Sequence, residues 1–231
     1  MFRLFRILAL VPMACTVLAA PAPKGSWERI DPDDDCLFDI RDSRVTLQLP
    51  GGDHELDAPP SKRSNAPRLL RDVEGDFVVR VRIRASFRPS EKSSVEEEAS
   101  RVAAGLVLIS ADKGYVRFEY GATRRKGKLS KGFTWRVEGK QFGVNGSFTG
   151  WNPSDWAPNE ENIYLSIERA GIWIRYVLSS DGKKWACHQS FSSERLPNKF
   201  KVGLVAYSTS TDPFKVRFDQ FKLIRGGEKS K

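Results

Sequence analysis

The chain has 231 residues, 40% of them hydrophobic and 29% charged, enough to bury one core of ordinary size. With only two His, two Met and three Cys, it is poor in the imidazole and sulfur donors that transition metals favour, which argues against a dedicated zinc or copper centre. The 38 basic residues against 29 acidic ones give a net charge of +9, a mild excess that leaves enzyme and binding module both open.

Residues 1–20, MFRLFRILALVPMACTVLAA, place Arg3 and Arg6 before an apolar stretch over 7–18 and then small residues, the three-part layout of a secretory signal peptide. The stretch contains Pro12 and is shorter than the ~20 residues that span a hydrocarbon core, so export is expected, with a retained membrane helix as the alternative. A cut after Ala19 suits the small residues there. Lipid anchoring on Cys15 is a third option, which Pro12 and Met13 disfavour. A processed chain loses Arg3 and Arg6 and carries +7. Residues 21–30 read as a linker, 31–225 as one folded domain and 226–231 as a disordered tail.

Behind the linker stands an acidic run, Asp31, Asp33, Asp34 and Asp35. Hard oxygen ligands in a loop suit calcium, but the glycine and closing glutamate of an EF-hand are missing, and a solvated acidic run is the alternative. The mature chain would keep Cys36 and Cys187, an even count in an oxidising compartment. One disulfide between them, or two separately buried thiols, are both open, because spacing alone does not report distance.

From residue 31 onward, β-branched and aromatic residues alternate with polar ones, and no long amphipathic helical stretch, repeat or heptad interrupts them. In 77–84 (FVVRVRIR), Phe77, Val79, Val81 and Ile83 share one face and Arg80, Arg82 and Arg84 the other. Strands are expected at 45–49, 77–84, 104–109, 115–120, 133–138, 163–169, 172–178, 185–191, 201–208 and 214–224. Ala170-Gly171 and Asp181-Gly182 punctuate 163–191 as a three-stranded meander. So many short strands imply two sheets packed face to face, an all-β, two-sheet antiparallel jelly-roll sandwich. The breaks at 57–66, 88–101 and 139–162 are rich in Pro, Ser, Asn, Gly and charge and read as surface loops.

Several segments resemble the concanavalin A-like lectin/glucanase superfamily, in the branch of the regulation-of-enolase proteins and the C-terminal domains of some β-xylosidases. They are DHELDAPPSKRSNAPRLLRDVEGDFVVRVRI (53–83), AAGLVLISADKGYVRFE (103–119), IERAGIWIRYVLSSDGKKW (167–185), and VGLVAYS with VRFDQFKLI in 202–224. The resemblance spans nearly all of the mature chain. It implies a twisted sandwich with one concave sheet, and a role in glycan binding or in attachment to a catalytic partner.

The residues themselves offer little catalysis. Glucanases of that superfamily carry E-x-D-x-x-E on one strand, and this sequence has no such pattern. Glu119, Glu138 and Glu168 sit one per strand and Glu96-Glu97-Glu98 in a break, so hydrolysis would need two carboxylates to meet across a sheet. His54 and His188 have no visible partner. Sugar binding needs flat aromatic faces and planar polar groups, and FTGWNPSDWAPNEEN supplies Trp151 and Trp156, either as an exposed platform or packed back on the sheet. If Val116, Phe118 and Tyr120 face the core, Tyr115, Arg117 and Glu119 point outward, as do Arg82 and Arg136 on their strands; ordinary solvated positions are the alternative. The basic run at 122–132 (ATRRKGKLSKG) reads as a solvated hairpin, not a nucleic-acid recognition helix. The expected function is a secreted, non-catalytic module binding a glycan or cell-envelope polysaccharide. A glycoside hydrolase with a non-standard carboxylate pair and an envelope protein-interaction domain are the alternatives.

Overall fold

The computed structural model describes residues 27–56, 63–111, 114–153 and 162–226. In chain order these form β1 (Glu28–Ile30), β2 (Leu37–Arg41), β3 (Arg44–Leu49), β4 (Arg68–Glu74), β5 (Phe77–Ala85), β6 (Ser100–Ile109), β7 (Tyr115–Arg125) and β8 (Lys128–Glu138). A 3-10 turn at Lys140–Phe142 leads to β9 (Ser147–Pro153), β10 (Ile163–Ala170), β11 (Trp173–Ser179), β12 (Ala186–Ser192), β13 (Lys199–Ser208) and β14 (Phe214–Arg225). The strands make two antiparallel seven-stranded sheets, sheet A in the order β1-β4-β13-β6-β7-β8-β9 and sheet B in the order β12-β11-β10-β5-β14-β3-β2. This is the expected two-sheet jelly-roll sandwich, and β10, β11 and β12 form the expected meander.

Alternation drives the main core. Phe77, Val79, Val81 and Ile83 of β5 are buried between the sheets with Val116, Phe118 and Tyr120 of β7, while Arg80, Arg82 and Arg84 lie on the far side of sheet B. A second apolar cluster sits on the opposite face of sheet A: Leu70, Ala103, Val107, Tyr115, Val205 and Tyr207 pack there under Leu56 and Ala66. A strap of chain at residues 52–56 crosses that face. It is pinned by His54, whose N–H donates to the Ser208 carbonyl at 2.7 Å and whose carbonyl accepts from the Ser208 N–H at 3.1 Å.

Four strands escape the sequence pattern for physical reasons. In β4, Leu69 faces the main core and Leu70 the second cluster, so burial on both faces erases the period of two. β9 reads as a Gly/Asn/Pro loop, yet Gly150 is required there because a Cβ would collide with the Trp135 ring. β2 is an exposed edge, and β1 has three residues. β1 also corrects the linker: Glu28–Ile30 pair with 68–70, and Trp27 packs edge-on to Phe221 at 4.8 Å, so residues 27–30 belong to the domain.

The disulfide is also corrected. Cys36 precedes β2 and Cys187 lies on β12, the two outer edges of sheet B, and both are free. Six strand spacings at ~4.8 Å put roughly 29 Å between those edges, several times the reach of a disulfide. Cys36 is buried and Cys187 exposed, so the picture of two buried thiols fails as well. The proposed signal peptide and tail lie outside the described residues, except that Gly226 donates its N–H to the Asp76 carbonyl at 2.6 Å. Among the described residues no helix is long and apolar enough to cross a membrane.

Candidate functional site

Register assembles the site. Gly105, Glu119, Thr134 and Trp151 stand opposite one another across β6, β7, β8 and β9, and Val107, Arg117, Arg136 and Thr149 form the adjacent row. Because neighbouring side chains alternate, Tyr115, Arg117, Glu119, Arg136 and Trp151 share the face of sheet A that points away from the main core. The sequence parity is therefore right for Tyr115, Arg117, Glu119 and Arg136, while Trp151, expected in a loop, stands on β9. Trp156 lies outside the described residues.

The expected exposure is wrong for three of them. Tyr115 and Arg117 are each 2% exposed and Glu119 0%, because the strap and the second apolar cluster cover that part of the face. Arg82 is a second correction, since β5 belongs to sheet B and Arg82 points from the other side of the sandwich. There it pairs with Asp219 at 3.2 Å and takes no part in the site.

The buried charges on sheet A pair with one another, although Glu119 Oε2 has no hydrogen-bond partner among the described residues. Arg101 donates to Glu119 and lies 3.9 Å from Glu55 of the strap. Arg117 donates to the Leu56 carbonyl at 2.8 Å, its Nε stands 3.8 Å from Glu119 Oε2, and its guanidinium lies 4.7 Å over the Tyr207 ring. Tyr115 donates to Glu138 at 2.9 Å, and Arg136 holds the same carboxylate at 3.1 Å. Burial raises the phenol pKa of Tyr115 and pushes that of Tyr207 up to about 12, with neighbouring arginines acting the other way, so both rings stay neutral at ordinary pH.

Beside this network opens a cleft of about 460 Å³, lined among others by Glu55, Arg63, Glu98, Arg101, Arg117 and Arg136. Trp151, 40% exposed, stands in the row of Glu119. Arg101 was legible in principle, since extending the 104–109 strand backward by alternation puts it beside Ala103 and Gly105. Glu55 and Arg63 carried no local signal, because a long-range bridge to Ser208 holds the strap in place.

The strand acids do not make a hydrolytic pair. Glu138 sits opposite Tyr115, so ~13 Å of strand separates its backbone from that of Glu119, and each carboxylate is turned to its own partners, Arg101 for Glu119 and Tyr115 with Arg136 for Glu138. Glu168 is on sheet B, paired with Arg80 at 3.2 Å. The acidic run also divides among partners. Asp31 pairs with Arg29 at 2.9 Å, Asp33 accepts from Asn65 at 2.7 Å, Asp34 is exposed, and Asp35 meets His54 at 3.2 Å. Asp31 and Asp34 share Arg29 while Asp33 and Asp35 turn to Asn65 and His54, so the run is divided among separate partners rather than gathered as one loop of oxygen ligands, and His54 acquires a partner that the sequence did not show. His188 is a packing residue, 4.9 Å from the Trp135 ring and 6.1 Å from Phe118.

No protein-family model matches the chain, and no curated sequence matches it. Solved structures do. A functionally unknown protein from Saccharomyces cerevisiae superposes with a TM-score of 0.62 at 16% identity, covering 86% of this chain and 96% of that one. A prokaryotic β-1,3-1,4-glucanase (lichenase) from a mouse hindgut metagenome gives 0.52 at 10% identity over 86% and 92%. A legume lectin-like domain from Entamoeba histolytica gives 0.50 at 8% identity over 87% and 90%. These likenesses show the fold, a two-sheet jelly-roll sandwich shared with a glucanase and with a lectin-like domain.

Proposed function

We propose that the chain is a secreted, non-catalytic carbohydrate-binding module whose ligand lies on the outward face of sheet A. The observation that carries this reading is the cleft of about 460 Å³ with guanidinium and carboxylate groups in its wall, on the sheet face to which the half-exposed Trp151 also belongs. An indole stacks on the C–H side of a pyranose, and planar charged groups bind neighbouring hydroxyls with two hydrogen bonds each. Arginine outnumbers glutamate in the lining, which suits a neutral or anionic glycan such as a cell-envelope polysaccharide. Export rests on the arginine-led apolar leader.

Turnover by a retaining route requires one carboxyl free to give a proton and another free to attack. Glu119 is instead buried in ion pairs with Arg101 and Arg117, which supports binding over hydrolysis. One observation favours the hydrolase alternative: Glu55 and Glu119 flank the same guanidinium, that of Arg101.

A glycan array of plant, bacterial and sulfated polysaccharides, read beside released reducing sugar, tests the proposal. Binding without release is the expected result. Release abolished by Glu119→Gln would establish the hydrolase instead, and silence in both assays would move the ligand to a protein partner. Trp151→Ala is expected to weaken glycan binding by about 1–3 kcal/mol, the cost of losing an aromatic anchor. Unchanged affinity in titration calorimetry would remove Trp151 from the site.

A further inference from the structure

Between β1 and β2 the chain crosses from the edge of sheet A to the edge of sheet B, and the crossing loop holds Asp31, Asp35 and Cys36. Asp31 accepts from Arg29 at 2.9 Å and from the Cys36 N–H at 3.3 Å through one oxygen. Its side chain is 4% exposed, and its other oxygen is buried with no hydrogen-bond partner among the described residues. Cys36 Sγ donates to Asp35 Oδ1 at 3.2 Å, and His54 Nε2 approaches the same oxygen at 3.2 Å from the strap. One donor atom from each of Asp35, Cys36 and His54 lies within 4.8 Å of the others.

We propose that Asp31, Asp35, Cys36 and His54 form a binding site for a divalent transition metal of the zinc class, which ties the crossing loop to the strap. Four ligands at ~2.0–2.3 Å around a tetrahedral zinc stand roughly 3.3–3.8 Å from one another. Asp35, Cys36 and His54 already lie within 4.8 Å of one another, and Asp31, held on the Cys36 N–H, would turn its unpartnered oxygen in as the fourth. Thiolate and imidazole donors select zinc over calcium or magnesium, which correspondingly prefer oxygen alone. Charge also closes: three anionic ligands face the two charges of the ion and the guanidinium of Arg29. On binding, the thiol S–H bond breaks heterolytically, the proton goes to solvent, the sulfur pair forms the metal–sulfur bond, and nothing is oxidised or reduced.

A nucleophilic cysteine is the competing use of these residues. It needs solvent access and positive surroundings, whereas Cys36 is buried with two carboxylates beside it. Low counts of His and Cys do not bar such a site, which asks for one of each. The strap residue after His54 is Glu55, and Leu56 accepts from Arg117, so the ion would also brace the cover of sheet A. The proposal is independent of any glycan.

The test uses the full reduced chain, treated with chelator, dialysed and titrated first with cobalt(II) and then with zinc. The expected result is one equivalent of cobalt with a thiolate charge-transfer band and tetrahedral visible bands, displaced by one equivalent of zinc, with a rise in Tm. Cys36→Ser should abolish the charge-transfer band. His54→Gln should weaken zinc binding by more than about 100-fold, beyond the ~10–100-fold that loss of a supporting residue costs. Cys187→Ser should change neither. A wild-type chain that takes up no stoichiometric cobalt overturns the proposal without recourse to variants. So does a charge-transfer band that survives Cys36→Ser, or stabilisation by calcium but not by zinc.

Discussion

At the residue scale, charge placement sets both strength and vulnerability. Asp219 sits at the β14 bulge, nearly buried, with Arg217 at 2.8 Å, Arg82 at 3.2 Å, Arg84 at 3.4 Å and Arg44 at 3.8 Å. Removing that one anion leaves four guanidinium groups facing one another. Because the arginines are partly solvated, Asp219→Asn is expected to cost about 1–3 kcal/mol, less than a fully buried pair would. Urea unfolding at low and high salt checks this, and the loss should shrink as salt screens the repulsion. His188 gives a pH signature. Burial lowers its proton affinity, while an unfolded histidine titrates near pH 6.5. Its contribution is therefore complete above about pH 6.5 and is lost as pH falls from there toward the lower folded value, because the unfolded chain then binds the extra proton. His188→Phe should flatten that part of a Tm-against-pH curve, and an unaltered slope would exclude this residue as its source. Residue-scale chemistry was partly legible: alternation identified the face carrying Tyr115, Arg117 and Glu119. It did not predict their burial, since their cover comes from about sixty residues upstream in sequence, Leu56 against Arg117.

At the element scale, a strand with one wet face shows the period of two and a strand with two dry faces does not, although of β4, β6 and β13 only β4 escaped the sequence reading. β5 alternates because its arginines reach solvent, whereas β4, β6 and β13 in sheet A lie between two apolar clusters and lose the period. β9 is a strand by partnership, as β8 supplies its ladder and Trp135 fills the space above Gly150. The β7–β8 hairpin turns on Lys126 and Gly127, with φ of 50° and 77°, the left-handed pair of a type I′ turn. Glycine takes that conformation freely and lysine does not. Lys126→Asn is expected to stabilise by about 0.5 kcal/mol, raising Tm by roughly 1–2 °C. A fall in Tm in scanning calorimetry would contradict the assigned turn.

At the scale of the whole molecule, the two outward faces differ in character. Sheet A carries the strap, the buried ion pairs and the cleft, while sheet B presents Arg44, Arg80, Arg82, Arg84 and Arg217 around Asp219, with Glu168 beside Arg80. With the chain at +9 overall, retention on a sulfated polysaccharide column should fall steeply as the Debye length shrinks from ~10 Å at 0.1 M salt to ~3 Å at 1 M. Retention that persists undiminished to high salt would show that charge is not what holds the polymer. The all-β class, the two-sheet sandwich and the meander at 163–191 were determined by the sequence itself, because alternation and turn chemistry act between near neighbours. The strap over sheet A, the separation of Arg82 from Arg117, the free cysteines at opposite edges of sheet B and the meeting of His54 with Asp35 were decided by tertiary structure alone. Each depends on which strands become neighbours in a sheet, and that is fixed by burial summed over the whole core, which no short stretch of sequence contains.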